Sequence, residues 1–421
     1  MKYSQFNSLI RVSEKSDILY NALTHLFVVL PHGLVPATPE ELDEPIISTY
    51  TKHGFIVPKE LDETSGIFEQ YRQTSDNNSD FILTINPTLE CNFRCWYCYE
   101  THAKNMVMSE KVKIKVYKLI ANLIRKYPLL TLSFFGGEPM LEFDSTIKPI
   151  MEWASQEAKK HNHLIRYTFT TNGFLINEDI ADFLKNYPCN AFQITLDGNK
   201  ESHNRTRVAN DADSFLTIIN NIKLLCQKGL HVLLRLNLTI ANVDGAFDIP
   251  DYFKNFTPEE KNHLKVTCEQ VWQDIENGSI YDKVICLRKR FKDIGILHEA
   301  KNLDSIQHCC YGDKKNSAVV NYDGRVFKCT AIDFNNHDPE GYISEEGNLC
   351  FSQDSYKTML ERRRDKMKNF KCASCRILPL CNGGCFRKIM SKNGHSCLFP
   401  TDEEKNKMIL ENIEEIIYAK Q

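Results

Sequence analysis

Between Asp80 and about Gln270 the chain alternates two hydrophobic patterns. Short apolar runs at Phe81 to Pro87, Leu130 to Phe135, Tyr167 to Thr171, Phe192 to Leu196, Val232 to Thr239 and Lys265 to Val271 have the length and composition of strands. Between them, apolar residues recur every three or four positions. In Ser109 to Tyr127, for example, Val112, Val116, Leu119, Ile120, Leu123 and Tyr127 share one helical face. Strand and helix in turn imply β/α units around a parallel sheet, hence an α/β fold.

The flanks follow other patterns. Residues 1–80 hold apolar runs (Phe6 to Val12, Leu19 to Leu30), a stretch punctuated by Pro and Gly (Pro31 to Pro39) and a helix-like acidic segment from Pro39 to Tyr50. Gly54-Phe55-Ile56-Val57-Pro58 then suggests the wing of a small winged-helix unit, and the polar run Gln73 to Asp80 reads as a linker. At the other end, Thr401 to Lys420 has an N-cap threonine, an acidic first turn and apolar residues at helical spacing. The expected division is a small α+β segment at 1–80, a barrel of β/α units at 81–290, a cysteine-rich segment at 291–400 and a terminal helix at 401–421.

Composition narrows the class. With 42% hydrophobic and 25% charged residues in 421, the chain is an ordinary globular protein long enough for more than one core. A net charge of -3, with Arg362-Arg363-Arg364 the main basic run, gives no reason to expect nucleic acid. No apolar run approaches membrane-spanning length and the N-terminus lacks a signal-peptide pattern, so a cytoplasmic protein is expected. In that reducing compartment, 16 cysteines are better candidates for metal ligands than for disulfides.

The cysteines fall in clusters. Cys91, Cys95 and Cys98 are spaced C-x3-C-x2-C directly after the first strand run. A 4Fe-4S cluster takes four thiolates, so three from one turn leave one iron open to a small chelating ligand. Other unusual residues also fall at strand ends, the edge on which barrels hold their chemistry: Gly136-Gly137-Glu138-Pro139, Thr171-Asn172-Gly173 and Asp197-Gly198, with Arg235 and Asn237 inside the fifth run. His203, Asn204 and Arg207 follow in a polar loop and suit either solvent or ligand contact. Farther on stand Cys310 and Cys329, flanking a hairpin with an Asp323-Gly324 turn. Then come Cys372-x2-Cys375-x5-Cys381-x3-Cys385, and Cys397. On spacing alone, this last group suits zinc as well as iron and sulfur.

The cysteine loop, with Tyr97 before its last cysteine, together with the GGEP run, resembles the radical S-adenosylmethionine (radical SAM) enzymes. The tail cysteines are similar to the SPASM extension of that family. The resemblance implies a partial (β/α)6 TIM-like barrel with an N-terminal winged-helix-like domain and a C-terminal SPASM domain. It also implies S-adenosylmethionine as cofactor, one 4Fe-4S cluster on Cys91, Cys95 and Cys98, and two auxiliary 4Fe-4S clusters. By the same resemblance Gly136, Gly137 and Glu138 would hold the methionyl amine, Asn172 and Asp197 would lie near the ribose, and Arg235 would receive the carboxylate. One auxiliary cluster would take Cys310, Cys329 and Cys385, its fourth ligand open among Cys309, Cys286, Cys268 or substrate. The other would take Cys372, Cys375, Cys381 and Cys397. Implied partners are a precursor peptide, whose leader would add as a strand to the N-terminal segment, and an electron donor such as flavodoxin or ferredoxin. The expected activity is maturation of a ribosomally made peptide through a thioether or carbon-carbon crosslink. The alternatives are an anaerobic sulfatase maturase and a zinc-rich peptide-binding protein without catalysis.

Overall fold

A computed structural model describes residues 1–77, 79–208, 213–298, 309–352, 370–385, 397 and 399–419. The Arg362 to Arg364 run lies outside them. The chain forms two compact units: one from Met1–Asn77, Ala300–Lys315 and Gln353–Gln421, the other from Asn78–Glu299 and Asn316–Ser352.

In the first unit, β1 (Asn7–Arg11), β2 (Ser16–Asn21) and β3 (Phe27–Pro31) form an antiparallel sheet in that order. The apolar run from Leu19 to Leu30 is thus two strands, reversed at a turn where His25 takes a positive φ of 56°. Ile56–Val57, read as a wing, pairs with Lys2–Tyr3, and helices α1 (Glu44–Lys52) and α2 (Glu63–Asp76) flank it in sequence. Helix α2 corrects the expected linker: Gln73 to Asp76 are its last turn. The stretch looks unstructured because its outward side is polar, yet Ile67, Tyr71 and Ser75 are buried and Asp62 caps the start through the N–H groups of Thr64 and Ser65.

This segment does not have a core to itself. Phe6, Ile10, Ile18, Tyr20, Ile67 and Tyr71 pack in one cluster with Cys309, Ile377, Leu378 and Leu380, and with Ile409, Ile413 and Ile416 of the terminal helix Asp402–Ala419. The expected separation of 1–80 from the cysteine-rich tail therefore does not hold. Neither segment offers enough apolar surface alone, and small units that share a core bury more of it.

The second unit is built on one large sheet. Its strands are β4 (Asp80–Ile85), β5 (Leu129–Phe134), β6 (Leu164–Thr171), β7 (Cys189–Leu196), β8 (Val232–Leu238) and β9 (Leu264–Gln270). They lie side by side in sequence order and are parallel throughout. Helices α3 (Glu110–Lys126), α4 (Lys148–Lys160), α5 (Glu178–Leu184), α6 (Lys200–Thr206) and α7 (Ser214–Gln227) occupy the first four crossovers. Helix α3 starts where its sequence says it should, Ser109 accepting from the N–H of Val112. Phe134, Phe169 and Phe192, in register on β5, β6 and β7, stack with centroids 5.3 and 4.7 Å apart. Burying each ring contributes about 1.5–3 kcal/mol.

The six parallel strands are extended at both ends. The short β10 (Leu297–His298) follows α8 (Tyr281–Asp293) and adds beyond β9. At the far edge β11 (Ser317–Val320) adds parallel to β4, and the antiparallel β12 (Arg325–Phe327), β13 (Gly341–Ile343) and β14 (Leu349–Phe351) follow it. The expected hairpin around Gly324 is present, but it belongs to this sheet rather than to a separate tail domain. Ala318, Val319 and Val320 are fully apolar on both faces, which suits an internal parallel strand.

Candidate active site

The unusual residues of the second unit gather at the carboxyl ends of β4 to β9. The cysteine loop leaves β4 through Asn86 to Glu90 and is pinned by Phe93, 1% exposed, whose ring meets Phe174 edge-on at 5.6 Å. The Phe93 N–H donates to Cys91 Sγ at 3.4 Å and the Cys98 N–H to the Cys95 carbonyl at 3.1 Å, so the loop is one tight turn. Cys91 and Cys95 are half-buried and Cys98 is exposed. Burial pushes the thiol of half-buried Cys91 up to about 12. Near neutral pH such a thiol stays protonated until a partner supplies positive charge, as a metal does.

The glycines after β5 are needed for close approach, though to the protein's own backbone. A Cβ on Gly136, where φ is +118°, would stand 2.3 Å from the Thr88 carbonyl oxygen, and one on Gly137 would stand 2.2 Å from that of Glu90. Only glycine lets this loop lie on the approach to the cysteines. There Gly137 N–H donates to the Thr88 carbonyl at 3.2 Å and Glu138 N–H to the Glu90 carbonyl at 2.8 Å.

Glu138 is fully buried. Its carboxylate accepts from Thr171 Oγ1 at 2.6 Å, from Asn172 N–H at 2.7 Å and from Met140 N–H at 3.0 Å. Burial raises its pKa, and those three donors pull it back. The side chain therefore ties the end of β6 to the glycine loop. Asn172 extends the tie, its Nδ2 donating to Asn92 Oδ1 of the cysteine loop at 2.7 Å.

A second network forms on the other side. Tyr97 donates its hydroxyl to Asp197, with oxygens at 2.8 and 3.0 Å, and accepts from Arg207 Nη2 at 2.8 Å and Asn237 Nδ2 at 3.1 Å. Arg207 Nε also pairs with Asp197. Arg235 reaches the network through Asn237 Oδ1 at 2.8 Å. Asp197 is wholly buried and Arg207 nearly so, a charge pair in low dielectric. The structure thus brings Tyr97, Asp197 and Arg235 together and moves Arg207 from a loop of open role to the centre.

Beside this network lies a cavity of about 400 Å³ lined by Trp96, Tyr97, Asp197, Arg205, Asn242 and Asp274, among others. Its size suits a small-molecule ligand. Sequence reasoning missed Asn242 and Asp274, whose ordinary turn and loop contexts carry no motif, and Trp96, which stands at a variable position inside the cysteine motif. It missed His102 as well, although the spacing Cys98-x3-His102 was visible: His102 Nε2 stands 3.2 Å from Cys98 Sγ, while Nδ1 meets the Leu89 carbonyl at 2.8 Å.

Of the tail cysteines, Cys372, Cys375 and Cys381 pack beside the shared core of the first unit, on a chain of turns in which Cys375 N–H donates to the Cys372 carbonyl. Cys385 and Cys397 are exposed. Cys310 lies in the first unit and Cys329 in the second. Among the described residues no three His, Cys, Asp or Glu side chains converge on a single-ion site. Cubane thiolates each bind a different iron and stand farther apart than ligands of one ion.

Residues 85–246 match the family model described as the Radical SAM superfamily. The chain is 24% identical over 389 residues to the radical SAM cyclopropyl synthase TigE of Paramaledivibacter caminithermalis, covering 83% of this chain and 78% of the relative. It is 27% identical over 338 residues to a cysteine-type anaerobic sulfatase-maturating enzyme of Clostridium novyi, covering 72% and 87%. Among solved structures, anSMEcpe with bound AdoMet and Cp18Cys peptide superposes with a TM-score of 0.56 at 20% identity, over 81% of this chain and 97% of that one. Streptococcus suis SuiB bound to precursor peptide SuiA superposes at 0.54 and 15%, over 93% and 97%. Both share the α/β fold with its large, mostly parallel sheet.

Proposed function

The chain is a radical SAM enzyme similar to maturases of ribosomally made peptides, and from that premise we propose that it modifies a side chain of a precursor peptide, forming a thioether or carbon-carbon crosslink. The observation that carries the proposal is the mouth of the second unit. There a three-thiol turn, the glycine loop and a cavity of about 400 Å³ meet at one sheet edge.

The residues fit a 4Fe-4S cluster with S-adenosylmethionine. Cys91, Cys95 and Cys98 would hold three irons, and the Phe93 N–H aimed at Cys91 Sγ suits an anionic sulfur. When bound, the pair supplies a 5'-deoxyadenosyl radical that removes a hydrogen atom from substrate. The chain's own part is placement. Glu138 and Asn172 hold the cysteine loop from one side. Tyr97, Asp197 and Arg207 hold it from the other, with Arg235 linked to them through Asn237.

In the same reading the tail cysteines form a SPASM domain with two auxiliary 4Fe-4S clusters. One of them would sit on Cys372, Cys375, Cys381 and Cys397 of the first unit. The N-terminal sheet would receive the leader of the peptide along an open strand edge, and a flavodoxin or ferredoxin of the cytoplasm would supply electrons.

Replacing Cys91, Cys95 and Cys98 together by Ala is expected to abolish 5'-deoxyadenosine formation by anaerobically reconstituted enzyme. Retained cleavage would contradict the ligand assignment. A second reading, maturation of a sulfatase cysteine or serine to formylglycine, is favoured by the likeness to the Clostridium novyi enzyme. Mass spectrometry separates the two: a crosslink removes two hydrogens within one leader-bearing peptide, whereas formylglycine places an aldehyde on a sulfatase-derived sequence.

A further inference from the structure

Within the first unit, one side chain ties its own turn to two segments that are far apart in sequence. Arg376, next to Cys375, donates from Nη1 to Ser8 Oγ of β1 at 2.8 Å. Its Nη2 reaches the terminal helix, donating to Asp402 O and Oδ1, each at 3.2 Å, and to Asn406 Oδ1 at 2.9 Å. Ser8 is buried and the Arg376 side chain is only 21% exposed. Three positions away on the other side of Cys375, the Ala373 carbonyl accepts from Gln5 Nε2 at 3.2 Å.

The backbone around these contacts is short and closed. Cys375 N–H donates to the Cys372 carbonyl at 2.9 Å, Leu378 N–H to that of Cys375 at 3.0 Å, and Cys381 N–H to that of Ile377 at 2.9 Å. Whatever fixes Arg376 and Ala373 therefore fixes the spacing of Cys372, Cys375 and Cys381. Ile377, Leu378 and Leu380 anchor the turn from beneath, in the core that β1 and β2 help to build.

We propose that Arg376 is a positioning residue for the auxiliary cluster on Cys372, Cys375, Cys381 and Cys397. It would hold that turn against the N-terminal strand β1, so that the sheet and the cluster report on each other. The proposal rests on the reading of those cysteines as cluster ligands. A forked guanidinium can span Ser8 and Asp402 at once, whereas a lysine ammonium is a single point. Coupling between strand and cluster is also reciprocal: whatever shifts β1 shifts the cluster, and the reverse.

The test uses the full chain, reconstituted anaerobically, with iron and sulfide counted and the auxiliary clusters followed by EPR during redox titration. Wild type is expected to hold about 12 iron atoms. A count of about four would overturn both the cluster reading and this proposal. With about 12 present, Ser8→Ala, which alters no residue of the cysteine turn, and Arg376→Lys, which keeps the charge, are both expected to change the g-values and midpoint potential of one auxiliary cluster. Both should also release its iron to a chelator about tenfold faster. The radical SAM cluster should be unchanged in both. Wild-type spectra and release rates in Ser8→Ala and Arg376→Lys, with a shift only in Arg376→Met, would show a charge effect and overturn the positioning role while leaving the cluster reading intact.

Discussion

At the residue scale the site is held by a few side chains that the protein can ill afford to lose. Arg207 and Asp197 neutralise each other out of water, and removing one leaves the other buried without a partner. Arg207→Met is expected to lower stability by about 3–5 kcal/mol, read as a fall in the urea midpoint of the iron-free protein. Tyr97→Phe removes a hydroxyl with four polar neighbours and should cost about 1–3 kcal/mol, since the buried donors around it stay unmet. An Arg207 variant no less stable than Tyr97→Phe would mean that water reaches the pair. Gly137→Ala tests geometry rather than charge. Its Cβ would press on the carbonyls of Glu90 and Leu89, at 2.2 and 2.5 Å, with no flexible side chain to yield. The variant is expected to lose iron at Cys91, Cys95 and Cys98 while keeping the tail clusters, which iron counting with EPR resolves.

At the scale of elements, legibility follows the range of the forces. The six parallel strands are readable within three residues at their ends because apolar residues recur at alternate positions, the mark of a strand with one face buried and the other less so. Helix α3 is readable because its cap and stripe are local. Residues on one strand end each, such as Asn172, Asp197 and Arg235, could be nominated by motif, since a parallel sheet gathers its carboxyl ends on one edge. Which way each side chain turns could not be read. Glu138 faces inward to Thr171 and Asn172, and Arg207 is drawn into the Tyr97 network, through contacts about 33 and 110 residues apart in sequence. The shared core of the N-terminal and tail segments is harder still: Ile10 and Ile377 are ordinary apolar residues, and nothing local says that they meet. The consequence is measurable. Removing residues 1–77 would bare Ile377, Leu378, Leu380, Ile409 and Ile413, so the truncated chain is expected to aggregate or lose the tail clusters instead of behaving as a barrel without its recognition segment. A soluble truncation that holds about 12 iron atoms would contradict the shared core.

For the molecule as a whole, the two units divide the labour by the chemistry of their residues. The second unit carries the thiol turn, the buried charge pair and the cavity of the proposed cofactor site. The first carries an antiparallel sheet whose edge strands among the described residues are β1 and β3, where Leu9 and Val29 are about half exposed, and three of the tail cysteines beside its core. Cleavage and peptide capture should then be separable by substitution without deleting either unit. Val29→Pro, on an edge strand that needs its N–H groups to pair with an added peptide strand, removes one such group and stiffens the edge. If β3 receives the leader, the variant should bind a fluorescent leader peptide at least tenfold more weakly and form correspondingly less modified peptide, with 5'-deoxyadenosine formation in the absence of peptide unchanged. The same substitution made on β1, Leu9→Pro, distinguishes the edges: whichever strand the leader joins will be the one whose proline raises the dissociation constant. If neither proline weakens binding, strand addition to this sheet is not how the enzyme takes hold of its substrate.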